Sequence, residues 1–218
     1  MIYQCIMFIV TAYLLGSIPF GKLIAKRVAR INITQRGSGN IGATNVAREL
    51  GITWGLVTLF LDMLKGFLPV FLYAHYILQT GIEFETCLAA IGLSALLGHQ
   101  FSIFMRFRGG KGVATAIGIY LVISPLACLI AVIVFILTVY KWDFVSLGSM
   151  LAAIGMPGLL ALFGKSQPIV TTSIIVAALI CFKHKGNIKR LVKGEERKWR
   201  GEINQPNRSR SRSNSSSE

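Results

Sequence analysis

Long apolar runs alternate with short, polar, cation-rich stretches along most of this chain. The run from Ile6 to Phe20 predicts a first membrane-spanning helix, distorted at its end by Gly16-Ser17-Ile18-Pro19-Phe20-Gly21. A second span is expected from about Ile52 to Ile77, long enough to cross at 1.5 Å per residue. The short stretch Gln79 to Thr86 carries Glu83 and Glu85 but no Lys or Arg and reads as an external turn. Cys87 to Met105 crosses back. Gly112 to Tyr140 is apolar for 29 residues, too long for one comfortable span and short for two. Ser124-Pro125 breaks it near the middle, and Lys111 and Lys141 both call for the same side. A hairpin of two short helices satisfies them; one long tilted helix would put Lys141 on the opposite side. Phe144 to Phe163 and Pro168 to Phe182 complete the set. The expected fold is an all-α integral membrane protein with seven transmembrane helices, its amino terminus outside and its carboxyl terminus cytoplasmic.

Charge sharpens this picture. The sequence has 218 residues, a net charge of +14 and a mean hydropathy of +0.61. Eleven of its 23 basic residues follow Phe182, and most others flank apolar runs. That distribution suits cytoplasmic ends beside anionic membrane lipid and does not suit a nucleic-acid groove. Lys22, Lys26, Arg27, Arg30, Arg36 and Arg48 face only Glu49 in the first connection, which places it inside. Cys5, Cys87, Cys128 and Cys181 show no CxxC spacing and are expected to be reduced, outside any disulfide frame or metal site. With no basic n-region and no cleavage pattern, the first helix is expected to stay as an anchor. One polytopic domain over residues 1–193 is expected, then a basic, Arg/Ser-rich cytoplasmic tail over 194–218, largely disordered. No internal repeat is apparent, so an inverted-repeat transporter lacks support.

Four polar clusters should meet at one face of the membrane. The first, Arg36 to Arg48, packs Gly37, Ser38, Gly39, Asn40, Gly42, Thr44 and Asn45 between two arginines. Glycines admit backbone N–H groups close to an anion, and arginine matches phosphate geometry. Without GxxxxGK[ST] the loop does not imply a nucleoside triphosphate. The second is Met105–Lys111 with its Arg-Phe-Arg-Gly-Gly-Lys-Gly run, in which the turn Arg108-Gly109-Gly110-Lys111-Gly112 opens a helix and is a ready anion site. Lys141–Ser146 and Lys183–Asn187 are the others, and His184 and Asn187, at i and i+3, can face one site together. His99 has no acidic partner in its stretch and reads as a packed histidine. An HxxxxD acyltransferase pair is excluded because Phe104 stands where Asp is needed. Asp62 and Lys65, mid-span and three apart, must face the bundle as an internal pair. No set of His, Cys and carboxylates stands at zinc spacing, so no metal is expected.

Taken together, Gly16–Gly21, Gly37–Asn45, Gly98-His99 and Gly109–Thr115 closely resemble one family: the bacterial membrane acyl-phosphate:glycerol-3-phosphate acyltransferases, the PlsY family. The resemblance covers roughly Leu14 to Lys193. It implies a seven-helix enzyme of the bacterial inner membrane with its site at the cytoplasmic face and no cofactor. Its partners would be glycerol 3-phosphate, a long-chain acyl phosphate and membrane lipids, and it is expected to work as a monomer. The product would be 1-acylglycerol 3-phosphate, and neither acyl-CoA nor acyl carrier protein would serve as donor. By matching position, Ser38 and Arg48 resemble the family's essential loop residues, and Lys111 its phosphate-meeting lysine. Ser146 resembles a serine opening a later helix, and His184 and Asn187 a pair after the last one. Ser38, Arg48, Lys111, His184 and Asn187 are thus the catalytic candidates. Gly37, Gly39, Asn40, Asn45, Gly109, Gly110 and Ser146 are the substrate-binding ones.

Phosphate is a good leaving group beside cations, so direct attack by the substrate hydroxyl is expected, with a phosphate oxygen taking the proton. His184 as general base and Ser38 as covalent nucleophile are the competing schemes. A transporter of a phosphorylated solute would suit the intramembrane Asp62 and Lys65 but lacks a polar path across. A CDP-alcohol phosphotransferase would need repeated aspartates that this chain does not have.

Overall fold

The computed structural model describes residues 2–77 and 80–200, and among them every regular element is helical. The helices are α1 (Ile2–Ser17), α2 (Phe20–Ala29), α3 (Ala43–Leu50), α4 (Ile52–Tyr76) and α5 (Ile82–Gln100). They continue with α6 (Val113–Ile123), α7 (Pro125–Trp142), α8 (Val145–Leu162), α9 (Gln167–Lys183) and α10 (Lys185–Val192). Among the described residues, five stretches are long and apolar enough to cross a membrane: Ile2–Ala29, Ile52–Tyr76, Ile82–Met105, Pro125–Trp142 and Val145–Leu162. α9 with α10, bent by 60°, makes a sixth. The remaining expected span is α6, at 11 residues apolar but only about 16 Å long against a hydrocarbon layer of about 30 Å. Ser124-Pro125 divides α6 from α7, with Pro125 at the first turn of α7, where its missing N–H costs nothing. Val10, Phe60, Leu129, Ile136, Ile154 and Ile174 are all exposed, as lipid-facing positions of such helices must be.

The bundle is held by helices that touch backbone to backbone. A Cβ at Gly16 would stand 2.2 Å from the Ala95 carbonyl oxygen, and one at Gly98 would stand 2.3 Å from that of Tyr13. These reciprocal glycines seat α1 on α5. Gly66 and Gly118 do the same for α4 and α6, against Thr115 and Met63. Where lipid tails are as apolar as any side chain, such close approach is a main source of helix association. Ser102 Oγ donates to the Ser17 carbonyl at 2.5 Å and Ser94 Oγ to that of Ile9 at 2.7 Å, adding polar ties along the α1–α5 seam.

Two expectations need correction. Cys5 and Cys87 form a disulfide between α1 and the first turns of α5. The two apolar runs lie 82 residues apart in the chain, and only their pairing in the bundle brings these thiols together. His99 has an acidic neighbour after all: its Nδ1 is 3.7 Å from Asp62 Oδ1, contributed by α4. Asp62 and Lys65 do face the bundle, paired at 2.9 Å.

The helix-packing account makes a direct prediction. Gly118→Ala should lower stability by about 1–3 kcal/mol, because its Cβ would sit 2.0 Å from the Met63 carbonyl oxygen. Gly155→Ala, which meets nothing within 4 Å, should be neutral or slightly stabilising. Thermal unfolding of both variants in detergent checks the contrast.

Candidate active site

Every irregular segment between α1 and α3, α5 and α6, and α7 and α8 lies at the same end of the bundle, joined there by α10. The glycine loop is closed by Asn45, which is 2 % exposed. Its Oδ1 accepts the Ser38 N–H at 2.9 Å, and its Nδ2 donates to the carbonyls of Asn40 at 2.9 Å and Arg36 at 3.1 Å. Gly37 and Gly39 take positive φ, and a Cβ at Gly37 would strike Asn45 Oδ1. Beneath the loop, Ile33, Ile41 and Val46 form a small apolar core with Ala25 that anchors it to α2. Ser38, Asn40, Asn45 and Arg48 border a cavity, whereas Gly37 and Gly39 do not. Those two glycines shape the loop; Ser38 is carried exposed at its rim.

The second glycine turn folds back on the end of α5. Gly109 N–H donates to the Gln100 carbonyl at 3.1 Å and Gly110 N–H to that of His99 at 3.0 Å. Gln100 Nε2 donates to the Lys111 carbonyl at 2.8 Å. Gly109 and Gly110 lie off the cavity wall, so their lack of a side chain serves contact with α5. Lys111 is on the wall, its Nζ donating to Asn187 Oδ1 at 2.6 Å. His184 sits at the joint of α9 and α10, 2 % exposed, and also borders the cavity. Its Nδ1 lies 2.8 Å from the Ile180 carbonyl oxygen. A carbonyl can only accept, so Nδ1 carries the proton and Nε2 of the neutral ring is left as the acceptor. Ser146 and Asn187 complete the group, and all five catalytic candidates share one cavity.

Glu196 and Arg190 belong to the same site, though no motif in the sequence marks them. Glu196 accepts from Ser146 Oγ at 2.7 Å, Asn187 Nδ2 at 2.6 Å and Arg190 Nε at 2.8 Å. Burial alone would raise its carboxyl, but these three hydrogen bonds hold it below the ordinary glutamate range. Residues beyond it stay on the site: Trp199 N–H and Arg200 N–H donate to the Asp143 carbonyl and carboxylate at 2.9 and 3.1 Å. Arg48 Nη2 reaches the Arg197 carbonyl at 3.5 Å. The one available signal was chemical: Glu195 and Glu196 are acids in an otherwise cationic run. The tail from residue 201 onward lies outside the described residues.

The cavity is amphipathic, with a volume of about 490 Å³. Its mouth is polar and cationic; its interior runs between α4, α6, α7, α8 and α9, walled by Leu59, Ile117, Tyr120, Val132, Phe135, Met156 and Val176. From Val145 to Met156 the α8 wall descends about 16 Å, roughly half the hydrocarbon thickness. Among the described residues no three His, Cys, Asp or Glu side chains stand together at metal-holding spacing. The arrangement can hold anionic groups at its mouth and a single alkyl chain within.

Lys111 carries the pH prediction. Burial, with repulsion from Arg190 and Arg48 and partial relief from Glu196, brings its ammonium down to about 8. Because only the charged form attracts phosphate, kcat/KM for a phosphorylated substrate should fall as pH rises through about 8. Lys111→Arg, charged throughout that range, should abolish this alkaline limb even if it lowers the maximum. Initial rates between pH 6 and 10 read both outcomes.

Comparison with known proteins agrees with this geometry. Residues 6–194 match the family model described as glycerol-3-phosphate acyltransferase. A glycerol-3-phosphate acyltransferase of Geotalea daltonii is 51% identical over 191 residues, covering 88% of this chain and 95% of that protein. One from Trichlorobacter lovleyi is 45% identical over 192 residues, covering 87% and 94%. The crystal structure of PlsY, an integral membrane glycerol 3-phosphate acyltransferase, in its glycerol 3-phosphate form superposes with a TM-score of 0.84 at 37% identity. It covers 89% of this chain and 95% of that one, and the lysophosphatidic acid form gives a TM-score of 0.82. With its cationic mouth, its apolar interior and these relatives, the chain belongs to the PlsY family of integral membrane glycerol-3-phosphate acyltransferases.

Proposed function

We propose that the protein transfers a fatty acyl group from a long-chain acyl phosphate to the primary hydroxyl of glycerol 3-phosphate. The products are 1-acylglycerol 3-phosphate and inorganic phosphate. The observation that carries this reading is the single cavity that joins Arg48, Lys111 and Asn187 to an apolar interior of one leaflet's depth. Glycerol 3-phosphate is polar and doubly charged and suits the mouth; an acyl phosphate needs both parts at once.

In this scheme the acceptor's phosphate rests on Arg48 and Lys111, and the donor's phosphate lies at the glycine loop beside Ser38. The acyl chain runs inward past Phe135 toward Met156. The acceptor hydroxyl attacks the carbonyl carbon, the carbonyl oxygen gains charge, and the acyl–phosphate bond breaks as that charge returns. The Ser38 hydroxyl and the Lys111 ammonium, both on the cavity wall, offset the developing charge. The hydroxyl proton passes to a phosphate oxygen, so no protein base and no metal is required. Asn45 acts as a positioning residue, since both ends of its amide are engaged within the loop. Glu196, also on the cavity wall, orients Ser146, Asn187 and Arg190. A second scheme, with His184 Nε2 as the base, is favoured by its place on the cavity wall. Ser38 is the weaker nucleophile candidate, because no described histidine or carboxylate is hydrogen-bonded to its hydroxyl.

The mouth of the cavity faces the cytoplasm of a bacterial inner membrane in this proposal. Lys22, Lys26, Arg27, Arg36, Lys111 and Lys141 lie at that end, in keeping with the positive-inside rule. Glu83, Glu85 and the Cys5–Cys87 disulfide lie at the other, which suits an oxidising exterior. With α6 counted as a short span, the chain crosses seven times and works as a monomer without cofactor.

The purified chain in a lipid mesophase should release phosphate and form lysophosphatidate from glycerol 3-phosphate and palmitoyl phosphate, and not from palmitoyl-CoA. Turnover with palmitoyl-CoA would break the donor assignment. Binding of glycerol 3-phosphate without turnover of either donor would favour a transporter.

A further inference from the structure

Against the glycine turn, with Asp62 and His99 reaching the wall of the same cavity, lies a buried cluster that the transfer chemistry leaves unused. Asp62 and Lys65 pair at 2.9 Å, and His99 Nδ1 stands 3.7 Å from the same carboxylate oxygen. None of the three is more than 4 % exposed. Lys65 Nζ also donates to the Ile18 carbonyl at 3.0 Å, at the break between α1 and α2. His99 Nδ1 makes no hydrogen bond of its own. On the opposite edge of the ring the glycine turn comes so close that a Cβ at Gly110 would stand 2.2 Å from His99 Nε2. The imidazole is therefore wedged between a buried ion pair and the backbone that carries Lys111.

Charges inside a bundle are retained at a cost that a well-packed apolar trio would avoid. What this ion pair adds is a fixed reference. Lys65 ties α4 to the α1–α2 break, whose continuation leads into the glycine loop. Asp62 faces His99, and His99 supports the turn of Lys111. The two anion-binding segments are thus indexed to one buried pair.

We propose that Asp62, Lys65 and His99 are positioning residues that hold the glycine turn, and through it Lys111, where the acceptor phosphate is taken. The role is confined to the acceptor half of the reaction, and the inference rests on the acyl-transfer reading above. It concerns where Lys111 stands and not any bond made or broken by His99.

Steady-state kinetics of the full chain with glycerol 3-phosphate and palmitoyl phosphate test it. His99→Ala should raise KM for glycerol 3-phosphate about tenfold, with KM for palmitoyl phosphate within about twofold of the parent. His99→Gln, which keeps a polar group of similar reach, should recover most of that loss. Gly110→Ala should reproduce the His99→Ala split, because its Cβ pushes the turn off the ring. In the double variant the ring is gone, so the two effects should not multiply. Multiplying effects, or both KM values rising together with a fall in melting temperature, would reduce the cluster to structural support and overturn the proposal. If His99→Ala does not fold, an unchanged acceptor KM in Gly110→Ala overturns it equally. Absence of turnover by the parent chain would instead remove the activity reading itself.

Discussion

No backbone polar group can be left open to hydrocarbon, and the rest of this structure follows from that constraint. Among the described residues the chain meets it by running as helix where it crosses and by keeping most loops and turns at the ends. At the break between α6 and α7, Ser124 is buried in protein. Glycine loop, glycine turn, the α7–α8 connection and α10 gather at one end as a result. Most of the N–H groups there are tied within the fold, and the cations and hydroxyls they position face one another, water and anions. An anion site at the mouth of an apolar cavity is a natural product of that sorting.

The mouth is organised by charges that offset one another. Lys111 is partly desolvated and repelled by Arg48 and Arg190, and Glu196 relieves part of that repulsion. Glu196 is in turn held ionised by Ser146, Asn187 and Arg190. The carboxylate thereby lets several cations share a small space before any substrate arrives. Preorganised charge of this kind needs no rearrangement when the transition state forms. A carboxylate that only neutralised the mouth could lie anywhere nearby; the three hydrogen bonds it receives give it a fixed place and fix Ser146 and Asn187 with it.

Much of this was legible in the order of residues, because hydropathy and proline act locally. Ser124-Pro125 marked a helix break that the structure has at that position. Asp62 and Lys65 had to face inward, since neither could face lipid. The features that escaped notice are those created by tertiary contact. Cys5 and Cys87 become neighbours only when α1 lies on α5. His99 gains Asp62 only when α4 does the same. Glu196 was hidden in a basic run whose charge spoke for lipid, and nothing local said that the chain turns back over the site. In sequence the glycines offer room for an anion, yet in the fold Gly37, Gly109 and Gly110 make room for Asn45 and for the end of α5.

The central claim is that one cavity takes a charged head and an alkyl chain together. A crystal structure with a non-transferable acyl phosphonate and glycerol 3-phosphate bound tests it most directly. The account predicts the acceptor phosphate between Arg48 and Lys111, the phosphonate at the glycine loop, and the chain running past Phe135 to Met156. A chain lying outside the cavity, or an acceptor phosphate away from Lys111, would contradict it.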